Sequence, residues 1–558
     1  MPNATERLAR WPALVAAAFG AALFFSQGGY VAIVPTRLDW IKPGSDWAYH
    51  LVAWLFYRNA PWQWPVGAIP DLLHPVGSTI VLTDCIPWVA LPAKLLSPLL
   101  PSPVQLIGPW LFLCYVLAGW FGARLGQALQ ASPRSAAFIG AFFAISPALM
   151  HRVQHEGLTA HFLILWALAA AFSQRRATTL AGAIVPVVAF GVHPYLFAMT
   201  LPICLAALVR AAWVDRIVSW RLAGAVTLAM FGVLVLAAWV LGYFDAAFAG
   251  GGLGFSHYGT DLAAFVTTQK RSWFLPDLPG SKARWEGYAY LGAGGLFLVV
   301  GAIVLEALAR GKRDWRRGLP LAVVVLGMAL FALADPIRIL GEPLVQTTGL
   351  WKHFDFLTGA FRTSGRFIWP AYYAVLAAAI GVWILRRPRW APWVLGFALA
   401  LQIGESRIGF FGPQFQDTYP TAPRDPAWEL ARGEYRHLVL FPPRCGDGSG
   451  TCCVGFSWRP FRGDTIQMMQ VALLGLSTNS SGVGRVDRAR HAVACQELFS
   501  DVDAGRLDPR TIYQIGGGFE FRFHHANPGA VCGVLDGVST CVAADAPRAF
   551  RVHLAQAR

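Results

Sequence analysis

Gly44-Ser45-Asp46-Trp47-Ala48-Tyr49-His50 follows the first long apolar run of the chain, and its reading decides how the rest is organised. The run upstream, 12–34, is long enough to cross a bilayer, so this short polar stretch opens the first loop beyond it. A carboxylate at a membrane edge is costly unless it is paired, hydrated or used. The side of the membrane on which Asp46 emerges therefore fixes the chemistry open to it.

Composition sets the class. The 558 residues are 55% hydrophobic and 14% charged, against about 25% charged in a soluble domain. This predicts a mainly α-helical, polytopic membrane protein with a soluble appendix. The net charge of +15 does not point to nucleic acid, because the basic residues sit in short clusters between apolar runs, as in cytoplasmic loops. Arg7 and Arg10 precede an apolar run too long for a cleaved signal, with no small-residue cleavage site after it. It is read as a retained first helix.

Spans are expected near 12–34, 104–123, 136–150, 157–174, 178–192, 194–212, 222–244, 288–308, 318–334, 366–385 and 390–406. With the N-terminus in the cytoplasm, the inside loops hold 17 Lys/Arg in 50 residues and the outside loops 13 in 158. That asymmetry supports the orientation. Residues 79–100 are apolar too, but Asp84, Pro87, Pro92, Lys94 and Pro98 interrupt them. A span there would also put the basic stretch Arg124–Arg134 outside. The segment is read as a helical hairpin or interfacial element on the outer face.

Eleven spans give a membrane domain over 1–406, with 35–103 as its first extracytoplasmic loop carrying juxtamembrane helices. The tail, 407–558, is then an extracytoplasmic mixed α/β domain. It has short β-like runs at 435–441 and 519–523 between Gly/Pro/Asp-rich turns. Six of the nine cysteines lie in it: Cys445, Cys452, Cys453, Cys495, Cys532 and Cys541. An even number in an exported domain predicts disulfides, with the pairing open. No Cys-x-x-Cys spacing with nearby histidines favours a metal site.

The outward ends carry the polar chemistry. In the first loop Asp46, His50, Trp54 and Arg58 follow at steps of four, so on a helix they share one face. Such a face could supply a base, a proton partner and an anion clamp; the structural alternative is an amphipathic helix with its polar side wetted. Asp84 lies further along the same loop, among tryptophans that suit an interfacial belt or sugar stacking. His151, Arg152, His155 and Glu156 lie between two spans. Glu286 opens Glu286-Gly287-Tyr288-Ala289-Tyr290-Leu291-Gly292. Phe361-Arg362-Thr363-Ser364-Gly365-Arg366-Phe367 places two arginines outside, against the positive-inside trend. A phosphate held bidentately would explain them; snorkelling to head groups is the alternative.

The chain resembles the GT-C class of membrane glycosyltransferases, which have many spans, a long first extracytoplasmic loop with an acidic residue near its start, and often an exported C-terminal domain. Asp46 in 44–50 matches the acidic position. It is also similar to uncharacterised bacterial GT-C-like proteins through His74-Pro75-Val76-Gly77-Ser78, Thr83-Asp84-Cys85-Ile86-Pro87, the 286–292 motif and the 361–367 motif. The resemblance covers roughly 10–410. It implies Asp46 as the catalytic base, a polyprenyl-phosphate sugar as donor, a cell-envelope glycan as acceptor, and an inner membrane location with the tail periplasmic or extracellular. The substrate-binding candidates are then His50, Arg58, Asp84, His155, Glu156, Glu286, Arg362 and Arg366, with the last two on the donor phosphate. Asp39 and Asp46 are too far apart for a paired acidic motif, so no metal or other cofactor is assigned. Two other classes fit the composition: a transporter or flippase of lipid-linked saccharide, and a non-catalytic scaffold for envelope assembly. No inverted repeat favours the first, and the second leaves Asp46 and the outward arginines unexplained.

Overall fold

The computed structural model describes residues 4–244, 255–278, 281–309, 315–405, 414–415, 417–423, 425–443, 464–516 and 518–557. Cys445, Cys452 and Cys453 lie outside the described residues. Helix dominates, as it must where apolar segments have to satisfy their backbone groups internally. Among the described residues, four helices are long and apolar enough to cross a membrane: Pro133–Met150, Pro194–Trp213, Trp220–Leu241 and Ser364–Arg386. Shorter apolar helices occupy Arg10–Ser26, Phe162–Phe172, Arg176–Phe190, Gly292–Ala307, Leu319–Leu333 and Ala391–Glu405. The chain is a membrane protein. Over 79–100 the structure has only a 3-10 turn, Ile80–Leu82, the helix Pro87–Leu95 and a second 3-10 turn, Ser97–Leu99. The prolines are the reason: Pro87 starts the helix, Pro92 lies inside it and Pro98 is in the turn that follows.

The chain forms two compact units. The first gathers the described residues of 1–33, 108–235 and 249–415. Its helices meet through small residues. A Cβ on Gly119 would lie 2.1 Å from the Ala16 carbonyl oxygen, and one on Gly140 would lie 2.4 Å from the Ala16 Cβ. The helices Ala4–Ser26, Ile107–Ala128 and Pro133–Ala144 therefore touch almost backbone to backbone around Ala16. Dispersion is what close approach gains when lipid is as apolar as the side chains.

The second unit gathers the described residues of 34–107, 236–248 and 416–558. The first loop of the membrane portion thus groups with the tail. A five-stranded sheet organises it: β1 (His437–Phe441), β2 (Ser477–Thr478), β3 (Thr511–Ile515), β4 (Val531–Leu535) and β5 (Val538–Val542), in spatial order β2-β1-β3-β5-β4. β1 runs parallel to β2 and β3, and β5 antiparallel to β3 and β4. Every residue of the central β3 is buried, and Phe441, Val502, Tyr513, Ile515, Phe523 and Cys541 form a core beside it. A disulfide joins Cys532 and Cys541, which face each other on β4 and β5, and Cys495 is also disulfide-bonded.

The first loop extends this sheet at β2. Leu72 makes a parallel bridge with Thr478, His74 N donates to Thr478 O at 2.7 Å, and Thr478 N donates to Asp71 O at 2.9 Å. The edge that β2 would otherwise expose is covered, which removes a site for unwanted strand pairing. The helix Asp46–Asn59 packs on the helix Asp464–Leu474, where Asn59 Nδ2 donates to Ala472 O at 2.7 Å. Local sequence sets that first helix. Ser45 is extended and its Oγ accepts from Ala48 N, Asp46 stands in the first turn against the positive end of the dipole, and Ala60 before Pro61 ends it.

Gly119→Leu forces a side chain into the Ala16 carbonyl and is expected to destabilise by at least about 2 kcal/mol. Gly224, whose Cβ would meet nothing within 4 Å, serves as the control, and Gly224→Leu is expected to be neutral. Thermal aggregation midpoints of the detergent-purified variants check the pair.

Candidate functional site

Three separated stretches of the first unit converge on one carboxylate. Glu286 Oε2 accepts from Arg152 Nη2 at 2.9 Å and from Arg366 Nε at 2.8 Å. All three residues are buried. Arg152 Nη2 also donates to the carbonyls of Trp285 (3.2 Å) and Glu286 (2.7 Å), which ties its guanidinium to the backbone of the motif it pairs with. Aromatic faces line the cations: Arg152 lies 4.9 Å from the Trp285 ring and 5.4 Å from the Trp369 ring, and Arg366 lies 4.9 Å from the Tyr195 ring. Two guanidinium groups and one carboxylate leave a net charge of +1 among these three buried side chains.

Burial alone would raise the Glu286 carboxyl, but Arg366 and Arg152 outweigh it and hold it at about 2. Neighbouring imidazoles are kept neutral. Burial, then the charges of Arg152 and Arg271, push His151 well below its ordinary value. Burial, then His155 and Arg366, do the same to His193, whose Nδ1 accepts from Tyr195 N at 3.2 Å. The His155 ring stands 5.4 Å from that of His193. Glu156 is fully buried, and its carbonyl accepts from Trp110 Nε1 at 2.9 Å.

The 286–292 motif is built around this point. Tyr288 O accepts from Trp369 Nε1 at 3.2 Å. Tyr290 OH donates to Glu405, whose Oε1 also accepts from Ser272 Oγ at 2.5 Å and whose Oε2 accepts from Ala293 N at 2.6 Å. Gly292 has φ of 78° and lies against Gln402, so close that a Cβ would stand 1.9 Å from Nε2. Glu405 was not singled out by the sequence argument, although an acid closing an apolar helix is a visible signal. Arg152 is visible in 151–156, but no local pattern identifies its partner more than a hundred residues away.

The spacing of Arg362 and Arg366 suggests one helical face, and the structure corrects this. Phe361 and Thr363 have non-helical dihedrals, and only Ser364–Ile368 forms a 3-10 turn. Thr363 N donates to Tyr195 OH at 2.9 Å and Gly365 N to Tyr258 O at 2.9 Å. These bonds turn the chain between the two arginines, so Arg366 is buried on Glu286 while Arg362 is exposed.

In the second unit, Asp46, His50, Trp54 and Arg58 do lie along one helix, Asp46–Asn59. Three of their four tips meet backbone rather than water. His50 Nδ1 donates to Asp84 O at 2.8 Å, and Trp54 Nε1 donates to Val104 O at 2.9 Å. Arg58 donates to the carbonyls of Pro101 (2.5 Å), Ser97 (3.0 Å) and Leu100 (2.8 Å). The alternative of a wetted polar face does not hold either: below its first turn the face is a buried clamp on residues 84–104. Arg58 is committed to orphan carbonyls at a turn, which corrects its assignment as an anion clamp. Asp46, in the first turn, is exposed. Among the described residues, the one cluster of metal-ligand types is His524, Cys532 and Cys541, and its two sulfurs form the disulfide.

A model for DUF6311, a domain of unknown function, matches residues 17–407, and the DUF6311 C-terminal domain matches 427–543. The chain belongs to the DUF6311 family. No curated protein matches it. Among solved structures it is similar to the Archaeoglobus fulgidus oligosaccharyltransferase tethered with an acceptor peptide. That match has 12% identity and a TM-score of 0.44, and covers 94% of this chain and 72% of the other. The apo form of the enzyme is similar at 12% identity and TM-score 0.38, over 88% and 68%. The archaeal oligosaccharyltransferase AglB from Archaeoglobus fulgidus, in complex with an inhibitory peptide and a dolichol-phosphate, is similar at 12% and 0.36, over 93% and 71%.

Glu286→Gln leaves two buried guanidinium groups without their carboxylate and is expected to cost about 3–5 kcal/mol. Combining it with Arg152→Met, which removes one of the stranded charges, should recover part of the loss. The pH response has a definite sign. A carboxyl lowered from 4.5 to about 2 stabilises the fold above 4.5, and that contribution fades as pH falls toward 2. Melting curves across this window should show the acid-side loss in the parent protein and its absence in Glu286→Gln.

Proposed function

We propose that this chain is a membrane glycosyltransferase. It moves a sugar from a polyprenyl-phosphate donor to a cell-envelope glycan at the outer face of the bacterial inner membrane, with the N-terminus cytoplasmic, eleven spans and the tail exported. The observation that carries this reading is the buried Arg152–Glu286–Arg366 cluster, whose surplus positive charge suits a phosphate ester. In this reading Arg366 and Arg152 stabilise the phosphate as it leaves, and Arg362, exposed beside them in sequence, takes its outer oxygens.

Asp46 is the general base. It takes the proton of an acceptor hydroxyl while that oxygen attacks the anomeric carbon. The bond from the anomeric carbon to the phosphate oxygen breaks, its electron pair leaves with the polyprenyl phosphate, and the anomeric centre inverts. The exposed position of Asp46 in a helix first turn supports this role, since an acceptor can reach such a carboxylate. His155 and Glu156 orient the sugar. His50 and Asp84 shape the base: the Asp84 carbonyl keeps the His50 proton on Nδ1. The arginines offset the charge that develops on the phosphate, so the reaction as written routes no step through a metal.

Asp46→Asn should keep its melting behaviour and lose about 10²–10⁴-fold in transfer of radiolabelled sugar from a polyprenyl-phosphate donor. Full activity in that variant removes the base assignment. Arg362→Ala should raise KM for the lipid donor; an unchanged KM counts against its role on the phosphate.

A further inference from the structure

Lys94 stands in the first-loop helix Pro87–Leu95 and is 4% exposed, yet its Nζ has no hydrogen-bond partner among the described residues. The ammonium lies 4.1 Å from the Tyr57 ring centroid and 4.7 Å from that of Trp62. Two aromatic faces attract a cation but offer no acceptor lone pair, and a buried ammonium without one is costly. Burial pushes the group down to about 8, so it keeps its charge at neutral pH. One wall of the cage can yield: Trp62 is 55% exposed, whereas Tyr57 is fully buried with its hydroxyl on Val66 O.

The surface around Lys94 is apolar. Leu95 is 71% exposed, Leu96 50%, Leu99 82% and Trp64 53%. Arg58 fixes this shape by holding the carbonyls of Ser97, Leu100 and Pro101. The patch is continuous with a membrane element. The Trp64 ring packs 4.5 Å from that of Trp239, and Val66 N donates to Val240 O at 2.9 Å, both in the last turn of the apolar helix Trp220–Leu241. Exposed leucines and tryptophans at the end of such a helix are where acyl chains give way to head groups.

We propose that this corner of the first loop binds an anionic phospholipid: Lys94 Nζ takes the headgroup phosphate as Trp62 swings aside, and Leu95, Leu96, Leu99 and Trp64 lie against the acyl chains. A phosphodiester supplies both the acceptor and the counter-charge that the cage lacks. A zwitterionic head group brings its own cation and gains less from Lys94. The proposal uses neither Asp46 nor the arginine cluster, and it stands whether or not the transfer reaction is the right one.

The test uses the full chain in nanodiscs doped with a diazirine-acyl phosphatidylglycerol or the matching phosphatidylcholine, with cross-linked peptides mapped by mass spectrometry. Labelling of 87–100 should be about fivefold stronger with phosphatidylglycerol, the scale of one lysine on an anionic surface. Lys94→Met, nearly isosteric, should abolish that preference while labelling of 220–241 stays constant, which also reports an intact fold. Leu99→Glu, on the surface and outside the cage, should lower labelling of 87–100 with both lipids. Excess inorganic phosphate should leave the preference in place. Equal labelling by the two lipids, a preference that survives Lys94→Met, labelling indifferent to Leu99→Glu, or a preference abolished by inorganic phosphate would each overturn the proposal.

Discussion

The first unit depends on a single buried carboxylate. Glu286 sits between two arginines that reach it from positions 152 and 366, and neither guanidinium could be buried without it. Taking three charges out of water together is tolerable only when geometry and further hydrogen bonds compensate. Those bonds are present: the Trp285 and Glu286 carbonyls on Arg152, and the aromatic faces of Trp285, Trp369 and Tyr195. Once Glu286 is fixed, the residues after it are fixed as well. Tyr288, Tyr290 and Gly292 are each pinned to a different partner, namely Trp369, Glu405 and Gln402. The sequence motif 286–292 is the record of that crowding.

The second unit obeys a different constraint, the need to satisfy backbone groups in irregular chain. Residues 84–104 contain five prolines and, outside one short helix, only turns, so several of their carbonyls lack partners of their own. The helix Asp46–Asn59 supplies them, through His50, Trp54 and Arg58 at one-turn intervals. Further along, residues 71–74 find their partners at the edge of the tail sheet. Together these contacts turn residues 34–107 into part of a folded body with the tail. Only Asp46, in the first helical turn, keeps its side chain exposed among the four spaced polar and aromatic residues of that helix.

Legibility followed the range of the interaction. Apolar helices such as Pro194–Trp213 and Trp220–Leu241 were visible from hydropathy because burial in lipid is a property of each segment alone. The irregularity of 79–100 was visible from Pro87, Pro92 and Pro98, since proline acts on its own backbone. Spacing arguments were less secure. Steps of four correctly put Asp46 and Arg58 on one helix, but could not show that the face was buried. The same step failed for Arg362 and Arg366, where Thr363 N and Gly365 N donate to Tyr195 OH and Tyr258 O and bend the chain between them.

By itself the sequence determined the class of the molecule, its apolar helices, the mixed tail with its cysteines, and the polar residues that deserve a role. These follow from composition and from forces acting within a few residues. Only the tertiary structure decided which of those residues are partners: Arg152 with Glu286 and Arg366, Glu405 with Tyr290, and the first loop with the edge of the tail sheet. Pairing across 80 or more residues leaves no local pattern, because a charge or a strand edge is completed by whatever the fold brings to it.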